Sequence, residues 1–212
     1  MPPEVEAKLI AADAAPLDVL STEATLDGAL LGPAHTVDET DRYLDTRDGR
    51  LEAVRWACRL RTRQGAVWVS LKGPAEEPSQ GWLHRRPEVE GPATDSIDPA
   101  DWPVSPARDH LEQLSGGDPL VERLRLEQQR TERAVAVGGR RVATLSLDRV
   151  DVVGIGGLSA GELFVVELEL VEADALPPDD LQRLAEALAA RPGLAPDPRS
   201  KLEHALERLA TT

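Results

Sequence analysis

Several absences in this sequence narrow what the protein can be. The single cysteine, Cys58, excludes an intrachain disulfide and is compatible with a reducing compartment. No apolar run is long enough to span a bilayer, and no basic segment followed by an apolar leader stands at the start. Aromatic residues make up only 3% of the chain, so a core must consist mostly of Val, Leu, Ile and Ala. We therefore expect a soluble protein of the cytoplasm.

Positive charge is also scarce relative to negative charge. The 212 residues include 24 basic and 38 acidic ones, for a formal net charge of −14. Binding of nucleic acid or of an anionic membrane through bulk charge needs the opposite balance, so neither partner is expected. The chain has no G-x-x-x-x-G-K-[ST] loop, and its four histidines lack zinc-like spacing. Any phosphate site must therefore be built from side chains.

The length suits one large domain or two small ones, and we favour a single domain over residues 1–212. Gln64-Gly65 and Gly138-Gly139 lie between alternating segments and predict two hairpins. Helices are expected at Asp13 to Leu26, Ala107 to Leu114, Pro177 to Ala190 and Leu202 to Leu209. The expected fold class is therefore mainly β, of the α+β kind.

The first ten residues alternate between charged and apolar side chains. Glu4, Glu6 and Lys8 lie between apolar neighbours, so a β-strand would place all three charges on one face. That face could be solvated, or it could point into a polar cavity. This stretch alone does not decide between the two interpretations.

The same alternation recurs along the chain and favours the cavity. Three E-x-E pairs and several basic groups fall on predicted strand faces: Glu4/Glu6, Glu88/Glu90, Glu167/Glu169, Lys8, Arg59, Arg61, Lys72, Arg86, and Arg130 or Arg133. A sheet closed into a barrel would bring these faces together around a polar lumen. Carboxylates hold hard divalent cations, while Arg and Lys neutralise phosphate. The alternative without a functional role is that these charges form exposed ion pairs, each of which stabilises the fold by about 0–1 kcal/mol.

These motifs together resemble the CYTH superfamily, the triphosphate tunnel metalloenzymes. The opening E-V-E-A-K is similar to the family's E-x-E-x-K signature. The other similar segments are Asp41-x-Tyr43-x-Asp45-Thr46, Ala57-x-Arg59-x-Arg61, Leu71-Lys72-Gly73, Arg86-x-Glu88-x-Glu90, Asp148, Glu167-x-Glu169 and Ser200-Lys201-x-Glu203. The resemblance extends over nearly the whole chain and implies a closed, eight-stranded antiparallel β-barrel, a tunnel with helices packed outside.

The resemblance also implies a set of site residues. Glu4, Glu6 and Lys8 would form the catalytic centre. The triphosphate would be bound by Lys8, Arg59, Arg61, Lys72, Arg130 and Lys201. Mg²⁺ or Mn²⁺ would be held by Glu4, Glu6, Glu167 and Glu169. Supporting positions would be Arg86, Glu88, Glu90, Asp148 and Arg133. The stretch from Arg123 to Arg133 offers several arginines, and the sequence leaves open which of them lines the tunnel.

The first hypothesis from the resemblance is metal-dependent hydrolysis of inorganic triphosphate to pyrophosphate and phosphate, with a small-molecule triphosphate as the partner. An adenylate cyclase or a thiamine or nucleoside triphosphatase of the same fold would use much the same lining. A non-catalytic module that binds polyphosphate or a nucleotide is an alternative of another class, and a purely structural barrel is the third. A homodimer is suggested by family analogy alone.

Overall fold

The alternating segments form one antiparallel sheet of twelve strands. The computed structural model describes residues 4–74 and 83–211. The strands are β1 (Glu4–Ala11), β2 (Thr25–Leu26), β3 (Ala29–Leu31), β4 (His35–Thr46), β5 (Ala57–Arg63), β6 (Ala66–Lys72), β7 (Leu83–Arg86), β8 (Glu88–Pro92), β9 (Leu120–Val137), β10 (Arg140–Val153), β11 (Ser159–Leu170) and β12 (Leu194–Pro196). The α-helices are α1 (Ala15–Thr22), α2 (Arg50–Ala53), α3 (Pro106–Ser115), α4 (Pro178–Ala189) and α5 (Lys201–Thr211), and a short 3-10 helix covers Pro99–Asp101.

The sheet curls into a nearly closed barrel. Its hydrogen-bonded path runs β12-β1-β11-β10-β9-β4-β5-β6-β8, and β7 pairs with residues 4–7 of β1, whereas β12 pairs with residues 9–11. Strands β7 and β8 are one extended segment, interrupted at Pro87 because proline has no N–H to donate to the ladder. Counted as one, they join β6 to β1, and the ring has eight strands. The predicted barrel with helices outside is confirmed, with the short β12 as a ninth strand on the path.

Both predicted hairpins are present. Gln64 and Gly65 connect β5 to β6 with φ angles of 51° and 78°, and Gly138 and Gly139 connect β9 to β10 with φ angles of 58° and 80°. Two consecutive left-handed residues are the mark of a type I′ turn, whose twist matches that of the paired strands. The turns therefore fix which side chains of these four strands face the barrel interior.

The main apolar core lies outside the barrel. Outward side chains of β1, such as Ala7 and Leu9, are fully buried with Leu20 of α1 and Leu184 of α4. A second core forms where α3 packs against β6 and β8, and it includes buried side chains of β5. Because these helices cover the apolar faces, the charged faces of the same strands are left to face inward.

Some predicted boundaries need correction. The helix predicted from Asp13 to Leu26 ends at Thr22, because Thr25 and Leu26 pair as β2. Asp13 is not its N-cap, which is Ala14, although the Asp13 carboxylate accepts the Ala15 N–H at 2.9 Å. The sequence also predicts a polar loop from Pro74 to Gly81 and a strand from Trp82 to Glu90, of which residues 75–82 lie outside the described residues. No helix among the residues described is long and apolar enough to cross a membrane.

Candidate active site

The inward faces of the barrel strands enclose a cavity of about 610 Å³. In the pairing of β1 with β11, Glu6 lies opposite Glu169 and Lys8 lies opposite Glu167. The cavity is lined by twelve of the residues predicted from the sequence: Glu4, Lys8, Arg59, Arg61, Lys72, Arg86, Glu88, Glu90, Arg130, Glu167, Glu169 and Lys201. Alternation along the strands therefore identified eleven of these wall residues, whereas Lys201, which lies in α5, was predicted from the family resemblance.

Glu4 and Glu6 of β1 are held by basic groups from the neighbouring strands. Lys72 Nζ lies 2.6 Å from Glu4 Oε1, and the Arg86 guanidinium donates to Glu4 at 2.9 Å and to Glu6 at 2.9 Å. Lys8 Nζ lies 3.2 Å from the same Glu6 carboxylate. Burial by itself would raise the pKa of Glu4, but the charges of Lys72 and Arg86 outweigh it and lower that pKa. Both carboxylates are therefore held ionised without contact with bulk water.

A second group of charges joins β9, β10, β11 and helix α5. Arg130 binds Asp148 through two hydrogen bonds of 2.8 and 2.7 Å and reaches Glu167 at 2.9 Å. Lys201, the first residue of α5, lies 2.5 Å from Asp148 and 2.8 Å from Glu167. Burial opposes ionisation of Glu167, yet Lys201 and Arg130 lower its pKa well below the usual value. Asp148 is fully buried behind the two cations and positions them.

Arg59 is the least satisfied basic group of the wall. Its guanidinium reaches Ser70 Oγ at 3.2 Å and lies 3.5 Å from Asp41, while its buried Nε has no hydrogen-bond partner in the part of the chain that is described. Arg61, two residues along β5, binds Asp41 through two hydrogen bonds of 2.7 Å. A buried guanidinium N–H without an acceptor is costly. Arg59 therefore lines the cavity with an incompletely satisfied guanidinium group.

Sequence reasoning assigned no site role to several inward residues of β4, β5 and β9. Glu39 and Asp41 are buried carboxylates of β4 that hold the β5 arginines, and Gln128 donates to both at 2.9 and 3.0 Å. Arg63 binds Glu132, another cavity residue, at 2.6 Å. Arg63 was recognisable, since it shares the face of Arg59 and Arg61. The sequence of β4 did not indicate which of its acidic side chains face the barrel interior.

Arg133 is not part of the cavity, contrary to the prediction. Its guanidinium donates to the backbone carbonyls of Leu20, Glu23, Leu31 and Gly32 at distances from 2.6 to 3.2 Å. Successive residues of a strand point to opposite faces, so Arg130 and Arg133 cannot share one face of β9. Arg133 instead satisfies the carbonyls of the connection between α1 and β4.

Glu169 differs from the other predicted metal ligands because no described residue forms a hydrogen bond or ion pair with its carboxylate. Burial first, and then the charges of Glu4, Glu6 and Glu167, raise its pKa to about 7 despite nearby Lys72. Crowded carboxylates of this kind are relieved by a hard divalent cation, for which they are suitable ligands.

A metal ion would still have to compete with the basic side chains. Among the described residues, no group of three or more acidic, His or Cys side chains is arranged to hold an ion. Glu4 and Glu6 are bound to Lys72 and Arg86 instead. Glu169 fits a metal-binding role directly, whereas the other three carboxylates would have to exchange partners.

The distribution of lysine is unusual. Only three of the 24 basic residues are lysines, namely Lys8, Lys72 and Lys201. All three line the cavity. Every other basic side chain, inside the cavity or on the surface, is an arginine.

The other half of the barrel interior is apolar and is covered by α5. Inward residues of β9, β10 and β11, including Leu126, Val150 and Val165, are fully buried together with Ala205 of α5. The helix is anchored by His204, which is buried against the Asp197 carboxylate, and the Asp197 N–H donates to the Lys8 carbonyl at 3.0 Å. This packing fixes the helix whose first residue, Lys201, reaches the polar half.

The comparison with known proteins agrees with this architecture. The family model of the CYTH domain matches residues 2–205. A candidate adenylyl cyclase from Hippeastrum, described as having a dominant triphosphatase activity, has a similar structure with 20% identity and a TM-score of 0.70, covering 96% of this chain and 95% of its own. A candidate adenylate cyclase from Bacillus halodurans is 17% identical with a TM-score of 0.59, covering 96% and 98%. No curated protein matches the chain. The chain therefore belongs to the CYTH domain family.

Proposed function

We propose that this protein is a metal-dependent triphosphatase that hydrolyses inorganic triphosphate to pyrophosphate and phosphate. The observation that carries the proposal is the convergence of basic groups from separate elements on one cavity: Lys8, Arg59, Lys72, Arg86, Arg130 and Lys201. A cavity of about 610 Å³ lies within the range of small-molecule sites. Fixed cations in a site shielded from water neutralise phosphate oxygens far better than solvated ones do.

The inner basic groups are oriented before any ligand arrives. Asp148 positions Arg130 and Lys201, Asp41 positions Arg61, and Glu4 positions Lys72 and Arg86. A phosphate chain would contact the Arg59 guanidinium, which lines the cavity, and take over contacts now made by carboxylates. This arrangement requires little reorganisation of the side chains when a highly charged anion binds.

The four carboxylates Glu4, Glu6, Glu167 and Glu169 would hold Mg²⁺ or Mn²⁺, which supplies charge neutralisation and an acidified water when bound. Lys8 lies between two of them, 3.2 Å from Glu6 and 3.9 Å from Glu167. That position suits contact with the terminal phosphoryl group next to the attacking water. Hydrolysis then consumes one water and releases phosphate and pyrophosphate.

The second candidate is an adenylate cyclase, which would deliver the ribose hydroxyl to the innermost phosphorus of ATP. Two proteins of similar fold are described as candidate cyclases, and one of these is described as predominantly a triphosphatase. That description favours the hydrolase as the first hypothesis. A cavity lined mostly by charged side chains also suits an all-phosphate substrate.

The test is phosphate release from inorganic triphosphate, ATP and thiamine triphosphate, with Mg²⁺, with Mn²⁺ and with chelator. We expect metal-dependent release from inorganic triphosphate at least about tenfold faster than from the other two. Glu6→Gln should lower the rate by about 10²-fold or more, the scale of losing a catalytic group. Arg141→Gln is the matched control, because Arg141 is exposed and lies outside the cavity.

Other outcomes separate the alternatives. Formation of cyclic AMP from ATP, without phosphate release from inorganic triphosphate, would establish the cyclase instead. Triphosphate binding without turnover under any metal would indicate a binding module. Neither binding nor release would mean that the charged strand faces are structural.

A further inference from the structure

Two arginines at one end of the cavity differ from the cations deeper inside. Arg55 and Arg123 both line the cavity, yet neither forms an ion pair or a side-chain hydrogen bond with any residue in the described ranges. The inner cations Lys72, Arg86 and Lys201, in contrast, are each bound to carboxylates. In a protein of net charge −14, two unpaired cations at one cavity opening need an explanation.

Arg55 occupies a backbone conformation that disfavours arginine. Its φ is +60°, in the left-handed region, directly after the end of α2. The Arg55 N–H donates to the Glu52 carbonyl at 2.9 Å and the Trp56 N–H to the Leu51 carbonyl at 2.9 Å. Glycine or asparagine is the usual residue at such a helix end, because a larger side chain is strained there. Strained residues that persist in a fold often have a functional reason.

Arg123 is placed by a different irregularity, a β-bulge. Between β4 and β9, Tyr43 pairs with Leu124, but the next residue, Leu44, pairs with Glu122. Arg123 is therefore the extra residue of β9 and has no opposite residue on β4. Bulges redirect a side chain and are common at barrel rims and next to active sites.

Both irregularities lie at the same end of the barrel. Leu44, near the end of β4, pairs with Cys58 at the start of β5 and with Glu122 near the start of β9. Arg55 precedes this part of β5, and Arg123 adjoins this part of β9. Arg55 is exposed and Arg123 is half-buried, whereas Arg59, further along β5, faces the interior. The two free guanidinium groups therefore lie between solvent and the inner cations.

We propose that Arg55 and Arg123 form an outer anion subsite, which binds phosphate groups of a linear phosphate chain longer than three. The guanidinium fork matches phosphate oxygens and carries its charge at every physiological pH. Because the outer arginines lie nearer to solvent, an entering phosphate chain contacts them before the inner cations. They also have no carboxylate partner that must be displaced when phosphate binds. This inference rests on the proposed function, since it assumes that the inner cations hold three phosphate groups.

The test is calorimetric titration of inorganic triphosphate and of a longer linear polyphosphate, with turnover prevented by chelator. The double variant Arg55→Gln with Arg123→Gln removes the outer charges, Arg59→Met removes an inner one, and Arg141→Gln is an exposed control. We expect the double variant to weaken polyphosphate binding about tenfold, as two exposed contacts of moderate strength would. Triphosphate affinity should fall less than about threefold, and the control should match the wild type.

The outcomes separate this subsite from the proposed function. Equal loss for both ligands, or no loss for either, in the double variant would overturn the subsite. If Arg59→Met abolishes triphosphate binding in that case, the proposed function stands. If Arg59→Met changes nothing while the double variant still weakens polyphosphate, the subsite stands and the inner site is wrong. Binding of neither ligand by the wild type would overturn both.

The variant Arg55→Gly is a control that separates a loss of binding from a loss of folding. Glycine accepts a φ of +60° without strain, so this change should leave the melting temperature equal or higher. Polyphosphate affinity should nevertheless fall about threefold, as expected for one lost contact. Unchanged affinity would show that the arginine is tolerated and not used.

Discussion

The two halves of the barrel interior are built by the same strands but differ in chemistry. Along β9, Leu126 faces inward in one half and Arg130 faces inward in the other, four residues further on. The first packs with apolar residues beneath α5, and the second is held between Asp148 and Glu167. Strand geometry fixes only the direction of a side chain, so its chemistry must be matched by its neighbours across the sheet.

The difference also indicates how the halves cooperate. Close packing makes the apolar half rigid, and its residues hold α5 in place. Lys201 is carried at the start of that helix into the polar half, where it contacts Asp148 and Glu167. Buried charges are costly without partners, so the stability of the polar half depends on its ion pairs. The stability of the apolar half depends instead on how completely its side chains fill the space between the strands and α5.

The largest contrast should come from removing one buried carboxylate. Asp148→Ala removes one of the two carboxylates that Arg130 and Lys201 share and leaves Glu167 between two buried cations, so we expect a loss of about 3–5 kcal/mol in the free energy of unfolding. Triphosphate affinity should fall as well, because both cations lose their orientation. Urea unfolding and calorimetric titration measure the two effects.

The matched change in the apolar half is Leu126→Ala, which creates a cavity and should cost about 2–5 kcal/mol. Triphosphate affinity should remain at the wild-type level, because Leu126 faces no ligand. A loss below about 1 kcal/mol for Asp148→Ala would show that Glu167 alone is enough to balance Arg130 and Lys201. In that case the contrast between the halves fails.

A smaller effect should follow from the unpartnered carboxyl of Glu169. Its pKa of about 7 in the folded chain lies above the ordinary 4.5, so the folded state binds this proton more tightly than the unfolded state. The stability that it contributes is complete below about pH 4.5 and is lost as the pH rises towards 7. The shift corresponds to about 3 kcal/mol.

Glu169→Gln should remove this dependence. In chelator at pH 8 the variant should be about 3 kcal/mol more stable than the wild type, and near pH 5 the two should be similar. Urea unfolding at both pH values measures the difference. Equal stability at pH 8 would mean that another group neutralises this carboxylate.

The smallest effect expected is that of Arg133→Met. The variant loses a charged donor to four carbonyls and should be about 2 kcal/mol less stable. Triphosphate affinity should not change, because the side chain is outside the cavity. Arg130→Met on the same strand should weaken triphosphate binding, and similar affinity losses in both variants would contradict the assigned facings.

The sequence predicted the fold well where local signals were strong. The turn residues at Gly138-Gly139 and the alternation in β11 define strands without help from the rest of the chain. The closure at Pro87 was not visible, because it depends on β7 and β8 pairing with strands far away in the sequence. Helix ends were also imprecise, as at Thr22, where pairing of β2 with β3 stops α1.

The site was predicted less completely than the fold. Short alternating motifs identified Glu4, Glu6, Arg59 and Arg61, since charges on one face of a strand form a recognisable pattern in the sequence. Asp41 was recognised only as part of a motif and Gln128 was not recognised at all, because their roles come from contacts across β4, β5 and β9. Arg133 was misplaced because a run of arginines hides its facing.

Because all three lysines lie in the cavity, reagents that modify lysine amines can react only there. Reagents that acylate or reductively methylate primary amines find no lysine on the outer surface. The neutral amine is the reactive form, and Lys72 has a pKa raised above its usual value by Glu4 and Glu88, whose charges outweigh burial and Arg86. Chemical modification of a lysine in this protein therefore indicates that an ion pair in the cavity has opened.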